Sequence, residues 1–106
     1  MSQIIPLAAI PNQSLSVVID TVRYDIAVRQ CSVVMEIDIA RNSVPLVSGM
    51  RCNAGTLLLP FLSLENGYGN FAFSTEDDNY PDWQQFGITQ FLIFITNDEL
   101  VAARGF

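Results

Sequence analysis

Histidine and lysine are both absent from the 106 residues, and charged side chains of any kind make up only 15% of them. A serine or cysteine nucleophile therefore lacks its usual base, and paired carboxylates are the only acid–base chemistry left. Two cysteines without histidine amount to at most half a zinc site. Five arginines against eleven acidic residues give a net charge of −6, and scattered arginines do not form the basic patch that phosphates require. Long apolar runs are missing too. The two longest, residues 56–64 and 91–95, fall far short of the ~20 residues of a membrane-spanning helix, and Pro60 interrupts the first. Met1-Ser2-Gln3-Ile4-Ile5-Pro6 has neither a positive region nor a small-residue cleavage motif, so a secretory signal is not expected. These absences point to a chain used inside the cell that makes it, or in a particle assembled there, with no nucleic-acid or membrane partner and no metal or other cofactor.

What is present is apolar. Half of the residues are hydrophobic, whereas soluble domains carry about 25% charged residues. A single small domain has much surface for its volume, so this composition leaves nonpolar area outside the core. Either partners cover that area in an assembly, or the chain is an ordinary strand-rich domain with a compact core.

The most ordered pattern lies in residues 13–50. Leu15, Val17 and Ile19 alternate with mostly polar neighbours, then the parity reverses after Asp20-Thr21 to Val22, Tyr24, Ile26 and Val28. A two-residue hairpin loop produces that reversal. A second reversal near Gln30-Cys31 leads to Val33, Met35, Ile37 and Ile39, and a third near Arg41-Asn42 to Val44, Leu46, Ser48 and Met50. The predicted four-stranded meander places Val17, Tyr24, Ile37 and Leu46 in one inner row, flanked by rows of Ile19, Val22, Ile39, Val44 and of Leu15, Ile26, Met35, Ser48. A slip of one residue would turn a whole apolar set outward.

The same register sets Cys31 opposite Cys52, where they either approach disulfide distance or stay reduced as small hydrophobes. On the outer face it aligns Ser14, Ala27, Val34 and Gly49, a row without charge. Such a strip admits a neighbouring subunit, or merely relieves crowding in a twisted sheet. Asp25 opposite Glu36 would be the one candidate carboxylate pair, with Arg23 and Asp38 nearby making a solvated charge network the better reading.

Elsewhere the signals are shorter. Residues 2–7, bounded by Pro6 and Pro11, read as an extended edge segment. The run 56–62 lacks alternation and reads as a strand covered on both faces. Asn66-Gly67 marks a turn before Phe71 and Phe73 resume a strand. Glu76, Asp77, Asp78 and Asp82 cluster without calcium-loop spacing, so a solvated loop is expected. Residues 81–87 read as one helical turn with proline at its start, Trp83 and Phe86 on one face and Gly87 as its stop. Residues 91–95 are apolar on both faces and need cover from the N-terminal segment or another protein. The tail from Asn97 could start a short helix but is marginal alone, and is read as an arm that orders against a neighbour.

Ile5-Pro6-Leu7 followed by Pro11-Asn12-Gln13-Ser14, then Pro45-Leu46-Val47-Ser48-Gly49-Met50, the Leu57-Leu58-Leu59 run, and 83–87 before Phe91-Leu92-Ile93-Phe94 resemble the baseplate plug family of contractile-tailed bacteriophages over roughly residues 3–95. The resemblance implies a small strand-rich structural protein of the virion, assembled in the host cytoplasm without catalysis, in multiple copies, against other baseplate, hub and tail-tube proteins. The expected fold is all-β: an antiparallel meander forming a small barrel or sandwich of about seven strands in domain 1–96, with a C-terminal arm at 97–106. Candidate interface residues are Ser14, Ala27, Val34, Gly49, Trp83, Phe86, Leu92, Phe94, Leu100 and Phe106. The competing function is a β-barrel enclosing an apolar ligand, with Tyr24 and Ser48 as its inward polar groups.

Overall fold

Hydrophobic alternation of period two resolves into seven antiparallel strands in two sheets. The computed structural model describes residues 3–31, 34–53, 57–75 and 80–105; Val33, residues 54–56, the acidic residues Glu76, Asp77 and Asp78, and Phe106 lie outside them. The larger sheet is the meander: β2 (Asn12–Ile19), β3 (Val22–Cys31), β4 (Val34–Arg41) and β5 (Val44–Arg51), in that spatial order. The smaller has the order β1 (Gln3–Ile5), β7 (Phe91–Thr96), β6 (Gly69–Ser74). The sheets form an open sandwich rather than a closed barrel, and the ligand-enclosing alternative thereby loses its container.

Two tight loops drive the meander. Asp20 and Thr21 have φ of 50° and 66°, and Asn42 and Ser43 have 48° and 68°, the paired positive values of a primed turn whose twist matches the flanking strands. Pairing of β2 with β3 follows the expected register, Val17 opposite Tyr24 and Ser14 opposite Ala27. Between β3 and β4 the parity is as expected but the register is displaced. Tyr24 faces Arg41 rather than Ile37, and Ala27 faces Asp38 rather than Val34, because β3 runs on to Cys31, which pairs with Val34. A shift by an even number keeps every side chain on its face, so Ile26, Val28, Met35, Ile37 and Ile39 are all buried as the pattern requires.

β5 departs further. Its pairing slips twice along β4, from Ile37↔Met50 through Ile39↔Val47 to Arg41↔Val44. Gly49, at φ 66°, supplies the left-handed backbone that such a bulge uses. The slip lets both Leu46 and Val47 reach the core while Val44 and Ser48, expected inside, are exposed.

Between the sheets, Tyr24 of β3 meets Phe71 of β6 edge-on at 5.1 Å, and Phe94 of β7 closes the triangle at 5.2 and 5.7 Å. Each such pair adds about 0.5–1.5 kcal/mol beyond burial. Arg41, at an inner position of β4, is buried with its guanidinium 4.5 Å from the Tyr68 ring and 5.6 Å from Tyr24. The expected strand at 56–62 is absent among the described residues. Leu58 and Leu59 are buried in irregular chain, and a single turn, α1 (Leu62–Glu65), follows. Asn70 substitutes for a strand neighbour there, accepting from Leu59 N and donating to Leu59 O, both at 2.9 Å.

The tail is a helix, α2 (Asn97–Arg104), seated on β6 and β7 of its own chain. Thr96 and Glu99 form a capping box, Gly105 ends the helix in the left-handed region, and Leu100 is buried. This docking on its own chain stabilises a helix too short to persist alone.

Candidate docking interface

The solvent face of the meander carries the even residues of β2 and β4 and the odd residues of β3. Its row runs Ser14, Ala27, Asp38, Gly49. Asp38 takes the place expected for Val34, which sits instead at the end of β4 opposite Cys31. The strip is therefore small but not uncharged. Asp38 receives both guanidinium arms of Arg29 at 2.8 and 3.2 Å and the Gly49 amide at 2.6 Å, and these donors hold its carboxyl below the usual carboxylate range. Arg29 also approaches Glu36 at 3.5 Å. Asp25 faces Ala40, not Glu36. The Ser16 hydroxyl and then the Arg23 guanidinium lower its pKa. The candidate carboxylate pair does not form in this register; Asp25 lies beside Arg23, while Glu36 and Asp38 share Arg29.

A shallow concavity of about 660 Å³ opens on this face between Ser14, Ser16, Ala27, Asp38, Pro45 and Ser48. Small side chains and the twist around the β5 bulge shape it. The sheet has a floor of satisfied ion pairs and hydroxyls, which suits contact with another protein surface better than bond-making chemistry.

Several other expected interface residues lie inside. Phe86 is buried and stacks on Phe73 at 5.8 Å, and Leu92, Phe94 and Leu100 are buried as well. Their apolar area is consumed by the chain's own packing, because β7 points Leu92 and Phe94 between the sheets. Phe106 is outside the described residues. Trp83, in the 3₁₀ turn Trp83–Gln85, packs partly exposed against the core edge, and the Asp82 side chain caps that turn by accepting from Gln84 N at 3.1 Å.

Sequence reasoning missed the exposed apolar side chains Phe61, Tyr80 and Ile88, each about two-thirds exposed and in the sequence indistinguishable from core residues of the same type; Val18, equally exposed, stands at an even position of β2, on the face the alternation turns outward. It also missed the buried polar junction of Arg41, Glu65, Asn70 and Arg104. The cysteines are both free and far from paired register: Cys31 is exposed, while Cys52 N donates to Met35 O at 2.9 Å. Burial pushes the Cys52 thiol up to about 12, so it packs rather than reacts. No described helix is long and apolar enough to cross a membrane.

A family model described as cyanophage baseplate Pam3 plug gp18 matches residues 2–98. No curated protein matches the chain.

Proposed function

The chain belongs to the cyanophage baseplate plug family, and on that premise we propose that it serves as a non-enzymatic subunit of a contractile tail baseplate, docking near the hub and tail tube. The observation that carries this reading is the extent of the match, which runs through all seven strands. The shared property is therefore the whole sandwich and not a local motif. A plug must be rigid and must offer surface to neighbours. Rigidity comes from the aromatic contacts between the sheets, and the small-residue row of Ser14, Ala27 and Gly49, with Trp83 and Val34, offers approachable surface. The protein would be made in the host cytoplasm and carried in several copies in the virion tail.

Carbodiimide cross-linking of intact particles tests the reading. Lysine is absent from this chain, so every link from one of its carboxylates to a lysine side chain would be heterotypic. Links from Asp25, Glu36 or Asp38 to hub or tube proteins are expected. Absence of the chain from purified particles, or links confined to proteins remote from hub and tube, would refute it.

A further inference from the structure

The four sheet edges are protected unequally. β1 is three residues long and ends at Pro6; β5 carries Pro45, Gly49 and the bulge; the outer edge of β6 is covered where Leu58 N donates to Phe71 O at 2.8 Å. Short strands, proline, bulges and covering chain are the devices that keep edges from pairing. β2 has none of them within its length, although Pro11 precedes it, and among the described residues no strand lies along its outer side. It is eight residues long, Asn-Gln-Ser-Leu-Ser-Val-Val-Ile, without proline, glycine or a charge, and its pairing with β3 is unbroken.

Which backbone groups it exposes follows from its neighbours. Asn42 N donates to Arg23 O, whereas Gln30 N donates to Pro11 O, so odd residues of β3 address β4 and even ones address β2. Across an antiparallel ladder, Ile19, Val17, Leu15 and Gln13 then bond to β3, and Asn12, Ser14, Ser16 and Val18 hold their N–H and C=O groups outward. Among the described residues no strand pairs with that row. Leu15 and Val17 are only half-buried at this margin, and Val18 is 68% exposed.

We infer that the β2 edge is a self-association site, where a second copy of this chain adds its own β2 antiparallel about a two-fold axis. Charge leaves this edge open to a second copy. Two copies each carrying −6 repel over most of their surfaces, whereas this edge opposes no like charges whatever its register. Outward groups must pair with outward groups, and faces must match. With the axis at Ser16, both conditions hold: Ser14 meets the partner's Val18, and Leu15 meets the partner's Val17 over the continued inner face. The two four-stranded sheets become one of eight. The inference rests on the fold alone, so it stands or falls separately from the baseplate role.

Sedimentation of the purified full chain across the micromolar range reads the association directly. A dimer is expected. The double variant Ser14→Lys, Val18→Lys, at two exposed positions that face each other in the dimer, weakens it about tenfold or more through like-charge opposition, while Val44→Lys on the opposite edge leaves it unchanged. Amide exchange gives a second reading. In the dimer Ser14, Ser16 and Val18 amides slow about tenfold or more relative to the double variant, whereas Leu15 and Val17 amides, already bonded to β3, keep their protection. A wild-type chain that remains monomeric, a dimer that the double variant leaves intact, or unchanged exchange at the even residues overturns the inference.

Discussion

Arg104, in the last turn of α2, places both guanidinium arms on the two carboxylate oxygens of Glu65 at 2.8 and 2.6 Å, and only 3% of the Glu65 side chain is exposed. Asn70 donates to the same carboxylate, and Arg41 donates to the Glu65 carbonyl at 3.2 Å. One buried acid thereby ties the helix, α1, β6 and β4 together. Glu65→Ala removes the acceptor shared by Asn70 and Arg104 and is expected to lower stability by about 2 kcal/mol. Urea unfolding checks it. Adding Arg104→Ala to that variant should cost little more, because both substitutions delete the same contact.

Acid sensitivity follows from the same group. Arg104 first, and Asn70 after it, holds the Glu65 carboxyl below its ordinary 4.5, and Asp38 lies below its ordinary 3.8 for the reasons given above. A carboxylate with a depressed folded pKa contributes stability that is complete above the unfolded value and is lost as pH falls through the folded one. With no histidine to titrate near neutrality, the melting temperature should be flat from pH 7 to about 5 and fall below about 4.5. Glu65→Gln should reduce the slope of that fall.

The register errors of the sequence reading have a common cause. Alternation fixes which face a residue occupies, and it did so for Ile26, Met35, Ile37 and Ile39. It cannot distinguish registers that differ by an even number, so the β3–β4 turn was placed too early. Arg41 was assigned to the β4–β5 turn, and its burial against Tyr24 and Tyr68 was invisible. Leu58 and Leu59 were legible as buried but not as irregular chain, since Asn70 supplies the hydrogen bonds a strand would have made. Of the candidate interface, Phe86, Leu92, Phe94 and Leu100 lie in the chain's own core, and in a sequence an apolar side chain looks alike in a core and on a docking surface.

The turns predict a gain. Thr21, β-branched, is held at φ 66°, a region where non-glycine residues lose about 1 kcal/mol or more. Thr21→Gly should stabilise the domain by about 1 kcal/mol, raising the melting temperature by about 4–8 °C. Calorimetry checks it.

Gly69 predicts a loss. At φ 144° it starts β6 directly under Phe94, and an added Cβ would come within 2.5 Å of the ring and 2.6 Å of Ile95 O. Gly69→Ala is expected to cost several kcal/mol and to abolish soluble expression, whereas Gly67→Ala, with open space around it, should cost about 1 kcal/mol. Comparing soluble yields and unfolding midpoints of the two separates crowding from backbone strain.

The pairing of β1 with β7, Gln3 opposite Phe94, has a bearing on biosynthesis. The hairpins of β2 to β5 join neighbours in sequence and can form as they leave the ribosome, but the first strand has no place to go until Phe91–Thr96 has emerged. At ~5–20 residues per second, that leaves a wait on the order of ten seconds, during which the nascent chain holds an open, greasy half-sandwich.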